Sequence, residues 1–160
     1  MPQVRAEVWV PLPPAEAFAV SQTHGEIRLR WDPFIRAQRF LDDAAEPAVG
    51  VRTLTKARVG PSMISRYVAF NPPTSVGMTM VRGPWFFASF GGGWRFTAED
   101  TPAGPGTRAV WKYTYAIRPA WLAPVAERIG QRLLGREIRR RIDAFARACA
   151  DPVVLAAIRD

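Results

Sequence analysis

A long amphipathic segment near the C-terminus, from Trp121 to Cys149, constrains the fold more than any other part of the chain. Apolar residues recur along it mostly every three or four positions, which is the spacing of one stripe on an α-helix. The stripe comprises Leu122, Val125, Ile129, Leu133, Ile138, Ile142, Phe145 and Cys149. A helix of this length spans roughly 40 Å and cannot bury its stripe alone. The sequence therefore predicts a long C-terminal helix packed against a large partner surface.

The opposite face of the same helix is rich in arginine, and it holds part of the formal net charge of +8. The arginines are Arg128, Arg132, Arg136, Arg139, Arg140, Arg141 and Arg147. We expect a solvated outer face, as amphipathic helices usually have. The alternative is a module that binds an anionic surface, such as peripheral contact with an acidic membrane. Nucleic-acid binding is disfavoured, because the aromatic residues of strand 107–117 lie opposite Arg108 and Lys112.

The remainder of the chain reads as strand, two short helices and six further strands. Residues 3–10 alternate as a half-buried strand, and two short helices follow, the second beginning with a capping box between Thr23 and Glu26. The further strands are expected at 34–41, 50–60, 62–70, 75–81, 85–90 with 94–97 beyond an interruption by three glycines, and 107–117. The glycine run 91–93 predicts a bulge or bend. Short connections between the strands favour one antiparallel sheet.

Four segments carry a resemblance to a known family. They are PPAEAFAV at 13–20, RWDPF at 30–34, AFNPPTSVGM at 69–78 and GTRAVWKYTYAI at 106–117. In their order and spacing, over nearly the whole chain, they resemble the START-like (SRPBCC) superfamily and, within it, the polyketide cyclase/dehydrase group. The resemblance implies an α+β helix-grip fold, in which a curved, seven-stranded antiparallel sheet wraps around the C-terminal helix. We expect one such domain over residues 1–160.

The resemblance also implies a cavity between the sheet and the helix. Members of the family bind hydrophobic molecules there, so the first hypothesis is a carrier or sensor of a small lipid or polyketide-like ligand. The second is a polyketide aromatase/cyclase that promotes aldol cyclisation and dehydration. Neither hypothesis requires a cofactor.

Large side chains with flexible methionines among them favour a lined pocket over a simply filled core, although both interpretations remain open. Trp111, Tyr113 and Tyr115 share one strand face. The predicted ligand-binding residues are Met63, Met78, Trp85, Phe87, Trp94, Phe96, Trp111, Tyr113, Tyr115, Val125, Ile129 and Leu133.

Groups that could move protons are few. The candidates are Arg66, Tyr67, Tyr113 and Tyr115. Either Arg66 or Tyr67 faces inward, since neighbouring residues of a strand alternate, and the sequence leaves that choice open. Asp32 is expected to pair with an arginine and fix the second helix.

Other kinds of site are disfavoured by the composition. With one histidine, His24, and one cysteine, Cys149, the chain lacks the clustered ligands of a zinc site, so no metal is expected. We expect an exposed His24 and a buried, inert Cys149. No signal peptide or membrane span is visible, which predicts a cytoplasmic protein.

Overall fold

The computed structural model describes residues 1–160 and contains one curled sheet of seven strands with four helices. The elements are β1 (Gln3–Val10), α1 (Pro14–Ser21), α2 (Gly25–Trp31), β2 (Ile35–Phe40), β3 (Arg52–Ala57), β4 (Ser62–Asn71), β5 (Ser75–Arg82), β6 (Phe87–Thr101), β7 (Gly104–Ile117), α3 (Ala123–Ala148) and α4 (Pro152–Arg159). The strand order is β1-β7-β6-β5-β4-β3-β2, and every pair is antiparallel. The predicted helix-grip architecture is confirmed.

The inner face of the sheet follows from alternation along its strands. In β7, Trp111, Tyr113 and Tyr115 are buried, whereas the intervening Lys112 is exposed. Register with the neighbouring strand keeps the pattern aligned, since Trp111 lies opposite Trp94 of β6. The inner face therefore carries a row of large aromatic side chains.

Strand β6 runs through the three glycines in regular register, so they form no bulge, and the alternative of a bend at 91–93 stays a prediction. The irregularity in register lies instead between Phe87 and Ser89. The glycines allow neighbouring groups to approach the backbone of β6 closely. A Cβ atom at Gly93 would lie 2.9 Å from the carbonyl oxygen of Val76, and one at Gly92 would lie 3.3 Å from the ring of Tyr113. The space beside the Tyr113 ring therefore stays open because glycine at position 92 has no side chain to fill it.

Helix α2 begins at a different residue from the one predicted. Its N-cap is His24, which makes no capping hydrogen bond through its side chain. The Thr23 hydroxyl instead donates to the Val20 carbonyl (2.7 Å) and accepts from the Trp31 indole (2.9 Å). The predicted capping box between Thr23 and Glu26 does not form, because Thr23 joins the end of α1 to the end of α2.

Helix α3 does not carry a single apolar stripe. Two neighbouring lines run along its first half: Val125, Ile129 and Leu133 form one, and Ala126, Gly130 and Leu134 form the other, which continues to Ile138 at a spacing of four. From Ile138 onward the apolar residues face the core and are buried, whereas Ile129 and Leu133 are 55% and 60% exposed. The expectation of one continuous buried stripe is therefore wrong for the first half of α3.

The main core lies between the second half of α3, α1 and the strands next to them. Phe145 of α3 is fully buried and contacts the rings of Trp31, Trp94 and Phe96. Phe18 of α1 packs edge-on against Phe96 at 5.5 Å between ring centroids. This packing fixes the second half of α3 on the sheet and leaves the first half to border open space.

Candidate functional site: a cavity between the sheet and α3

A cavity of about 730 Å³ lies between the inner face of the sheet and α3. It is chiefly apolar, since 24 of its 42 lining residues are hydrophobic. Strands β2 to β7 contribute the floor, and α3 contributes Ala126, Gly130 and Leu134 along one wall. Ala126 and Gly130 keep the cavity wide at this wall, because larger side chains there would fill part of it. The volume falls in the range of pockets that enclose a drug-sized molecule.

Ten of the twelve predicted ligand-binding residues line this cavity. They are Met63, Met78, Trp85, Phe87, Trp94, Trp111, Tyr113, Tyr115, Ile129 and Leu133. Trp94, Trp111 and Tyr113 are almost fully buried and form its inner part. Trp85, at 71% exposed, lies with Ile129 and Leu133 at the rim.

The other two predicted residues lie elsewhere. Phe96 is buried in the core between Phe18 and Phe145, so it fills space instead of bordering the cavity. Val125 is 60% exposed and does not line the cavity. Contacts with the core take Phe96 away from the cavity, and Val125 lies beyond the end of the lining although it shares a helix line with Ile129.

The structure resolves which face of β4 points inward. Met63, Ser65 and Tyr67 line the cavity, whereas Arg66 is exposed on the outer face, opposite Arg52 of β3 and Thr79 of β5. Arg66 therefore cannot act in the cavity. The inward alternative for Arg66 is wrong, and Tyr67 keeps its place among the candidate site residues.

A buried ion cluster closes the inner end of the cavity. Asp32, fully buried at the end of α2, accepts hydrogen bonds from Arg28 Nε (2.9 Å) and from Arg141 Nη2 (2.7 Å) on Oδ2, and from Arg141 Nε (3.1 Å) on Oδ1. The expected pairing of Asp32 with an arginine is thus present, and it joins α2 to α3 as well as fixing α2. Arg28 and Arg141 both line the cavity.

Arg141 is one of the charged site residues that the sequence analysis missed, together with Arg28 and Glu137. The charge of Arg141 groups it with the solvated arginine face. Its guanidinium lies between the rings of Phe34 (4.7 Å) and Trp111 (4.3 Å) and donates to the Tyr113 hydroxyl. A signal was available: Arg141 lies three residues after Ile138 and four before Phe145, so it shares their buried face. Two aromatic faces and a carboxylate together stabilise this buried cation.

Charges in the cluster determine its protonation. Burial alone would raise the pKa of Asp32, but the positive charges of Arg141 and Arg28 outweigh it and lower that pKa to about 2. Burial raises the pKa of Tyr113 and also that of Tyr67. Both phenols therefore stay protonated at neutral pH and can donate hydrogen bonds.

Several polar atoms at this end have no partner within the protein. Arg28 donates a hydrogen bond from Nε to Asp32 and another from Nη1 to the Ser21 carbonyl, whereas its Nη2 has no acceptor. Tyr113 accepts from Arg141 but its own proton has no acceptor. The Glu137 Oε1 atom is buried without a partner and lines the cavity one helical turn before Arg141. Unpaired groups of this kind suit a ligand that brings oxygen atoms.

The remaining tyrosines are more constrained. Tyr115 donates to the carbonyl oxygen of Glu127 (2.9 Å), which holds it against α3 and removes its proton from use in the cavity. Tyr67 contacts Gln22 Oε1 at 3.3 Å, a longer bond that a ligand could replace. Among the candidate proton handlers, Tyr113 and Tyr67 are therefore better placed than Tyr115.

The structure also locates the lone histidine and cysteine. His24 is exposed and packs on Phe40 at the cavity edge, with 4.8 Å between ring centroids. Burial raises the pKa of the Cys149 thiol to about 12, so it stays protonated. No three His, Cys, Asp or Glu side chains are grouped in a way that could hold a metal ion. None of the helices combines the length and apolar character that a bilayer crossing needs.

The chain matches a known protein family, and its fold is similar to solved structures. The family profile described as polyketide cyclase / dehydrase and lipid transport matches residues 1–150. A protein from Thermus thermophilus is 18% identical with a TM-score of 0.72, covering 98% of this chain and 99% of its own. The Bacillus cereus protein XoxI is 11% identical with a TM-score of 0.71, covering 94% of this chain and 97% of its own.

A START superfamily protein from Mycobacterium smegmatis is 11% identical with a TM-score of 0.69, covering 90% of this chain and 94% of its own. At these identities, the likeness concerns the fold alone. Among curated proteins, none matches this sequence.

Proposed function

We propose that this chain, which belongs to the polyketide cyclase/dehydrase and lipid transport family, binds a small hydrophobic ligand between the sheet and α3 and acts as its carrier or sensor. The observation that carries the proposal is the apolar cavity of about 730 Å³. Protein interiors are close-packed and rarely leave voids much larger than a water molecule. A space of this size, lined by aromatic and methionine side chains, is what a hydrophobic ligand needs.

The inner end defines the chemistry of the ligand further. Arg28 Nη2 and the Tyr113 hydroxyl offer donors, and Glu137 Oε1 offers an acceptor. A ligand with carbonyl or hydroxyl oxygens at one end would satisfy these groups, while its apolar body contacts Trp94 and Met78. We therefore expect an oxygenated hydrophobic molecule, bound with its polar end inward. An oxygenated lipid and a polyketide both meet this description.

Native mass spectrometry of the purified protein, followed by organic extraction, tests the proposal. We expect either a retained small molecule or, for protein that retains none, thermal stabilisation by members of a panel of fatty acids, sterols and aromatic polyketides. A ligand at 100 times its Kd adds about 2.7 kcal/mol to the free energy of unfolding. No retained mass and no thermal shift would contradict the proposal.

A matched pair of variants on β4 locates the binding. Ser65→Trp places an indole in the cavity, and Val68→Trp places the same side chain on the exposed outer face. Loss of ligand in Ser65→Trp with retention in Val68→Trp is the expected result. Equal effects of the two substitutions would show that the ligand binds outside the cavity.

A second candidate function is aldol cyclisation of a poly-β-ketone, favoured by the unpaired Glu137 carboxylate oxygen in the same cavity as the Tyr113 hydroxyl. In such a reaction, Glu137 would take a proton from the carbon between two carbonyls. The resulting enolate oxygen would accept a hydrogen bond from Tyr113, which Arg141 polarises. The enolate carbon would then attack a second carbonyl carbon, and the alkoxide so formed would take back the proton held by Glu137. Removal of a second α-proton by Glu137 and departure of the new hydroxyl would then release water.

Exchange of α-protons into deuterated water, followed by NMR on an aromatic β-diketone, tests this second function. Wild-type protein should accelerate the exchange, and Glu137→Gln should abolish the acceleration. The control is Glu127→Gln, which removes a carboxylate from the same helix but away from the cavity lining. Ligand binding without accelerated exchange would leave the carrier or sensor function and exclude the cyclase.

A further inference from the structure

We infer that the first half of α3, together with Trp121 just before it, docks this protein on an anionic membrane surface. The docking face consists of exposed apolar residues and the arginines beside them. Its members are Trp121, Val125, Ile129, Leu133, Arg128, Arg132 and Arg136. The inference goes beyond the proposed function and does not depend on which ligand the cavity holds.

The apolar part of the docking face is unusually exposed for a helix in a folded domain. Trp121 is 81% exposed, and Val125, Ile129 and Leu133 are 60%, 55% and 60% exposed. The last three are spaced four residues apart, so their side chains stack along one line of the helix surface. A continuous exposed apolar line of this kind marks an interaction site more often than scattered single residues do.

The positive charges on the docking face indicate that its partner is negatively charged. Arg128, Arg132 and Arg136 each follow an apolar residue of the line by three positions, which makes them its neighbours on the helix surface. All three are exposed and none forms an ion pair. The one acidic residue between 121 and 136, Glu127, is half-buried where its carbonyl meets Tyr115. An apolar line flanked by free arginines fits the interface of an acidic bilayer.

Tryptophans extend the docking face to the rim of the cavity. Trp85, 71% exposed, lines that rim, and its carbonyl oxygen accepts a hydrogen bond from Arg118. Arg118, three residues before Trp121, and Leu122, directly after it, also line the cavity. Indole side chains favour the boundary between headgroups and hydrocarbon. A protein docked in this way would hold the opening of its cavity against the bilayer.

A second copy of the chain fits this surface less well. A symmetric dimer pairs a patch with itself, so the arginines of both copies would meet with no exposed carboxylate to balance them. Lipid headgroups supply the missing negative charge. The charge pattern therefore favours a bilayer over self-association.

Cosedimentation with vesicles tests the inference. We expect binding to vesicles of phosphatidylglycerol and phosphatidylcholine, much weaker binding to phosphatidylcholine alone, and a decrease on adding salt. Arg132→Gln/Arg136→Gln should weaken binding about 30-fold, at about fivefold for each charge near the membrane. Trp121→Ser/Val125→Ser should weaken it by about tenfold or more, since the inserted apolar surface is lost.

Arg66→Gln/Arg95→Gln is the matched control, because it removes the same charge from the outer face of the sheet. It should change vesicle binding by less than about twofold. Failure to bind acidic vesicles, or equal losses in the two arginine pairs, would overturn the inference. A dimer in sedimentation equilibrium that Trp121→Ser/Val125→Ser dissociates would assign the face to a second copy instead. Ligand retention in the cavity is measured separately and should not change in Arg132→Gln/Arg136→Gln.

Discussion

Both halves of α3 contain apolar residues and arginines, but their surroundings are opposite. In the second half, Ile138, Ile142 and Phe145 are buried on the sheet, and Arg141 anchors the helix to Asp32. In the first half, Ile129 and Leu133 are more than half exposed beside the open cavity. One element thus closes the core with one half and borders the cavity with the other.

The difference comes from the line of the helix on which each apolar residue lies. Leu134 lies four residues before Ile138 and continues the inward line. Ile129 and Leu133 lie on the neighbouring line, about 100° around the helix, and are more exposed. Stability should therefore depend strongly on the second half of α3 and weakly on the first. Four predictions test this contrast, in order of decreasing effect.

The largest effect is expected where the second half of α3 is anchored. Asp32→Asn leaves Arg28 and Arg141 buried without their carboxylate and should cost about 3–5 kcal/mol in the free energy of unfolding. Urea denaturation measures this loss. The control is Asp42→Asn, which breaks the exposed pair with Arg52 and should cost less than about 1 kcal/mol. A similar small cost for both would show that the cluster does not anchor α3.

A pair of isoleucines compares the halves directly. Ile142→Ala removes a side chain that is 2% exposed and should cost about 3 kcal/mol, whereas Ile129→Ala, at 55% exposed, should cost less than about 1 kcal/mol. Urea denaturation of the two variants without ligand gives the comparison. Equal costs would contradict the assignment of two separate apolar faces.

Acid should loosen the same anchor. The pKa of Asp32 is about 2, below its ordinary value of 3.8. The stability that the ionised Asp32 adds to the folded protein is therefore complete above pH 3.8 and is lost as the pH falls towards 2. The loss should amount to about 2 kcal/mol. Unfolding measured across this pH range should show a steeper decline in the wild type than in Asp32→Asn. Parallel declines would mean that other carboxylates dominate.

The smallest effect concerns the two glycines of α3. Gly135→Ala should stabilise the protein by up to about 1 kcal/mol, because the nearest atoms to the new Cβ, on Arg139 and Val4, are 3.5 and 4.0 Å away. At Gly130 the Cβ would lie 3.0 Å from the hydroxyl of Tyr115, which is fully buried and held by its hydrogen bond to Glu127. Gly130→Ala should therefore destabilise the protein. Thermal unfolding of both variants checks the predicted difference in sign.

Local patterns in the sequence predicted most of the fold. Alternation in β7 identified the inward Trp111 and Tyr113, and an arginine partner was expected for Asp32. The residues that were misassigned depend on long-range geometry. Phe96 shares the inward face of β6 with Trp94, but contacts with α1 and α3 place it in the core. The charge of Arg141 groups it with exposed arginines, although its helical position matches the buried residues.

Amide hydrogen exchange along α3, read by mass spectrometry, tests most directly whether this helix has one anchored half and one half that borders a ligand cavity. Amides of 138–148 should exchange only on global unfolding, and those of 126–134 at least about tenfold faster. Nile red, a neutral hydrophobic probe with a carbonyl oxygen, should slow exchange in 126–134 when it binds. Uniform protection along α3, unchanged by the probe, would contradict the account.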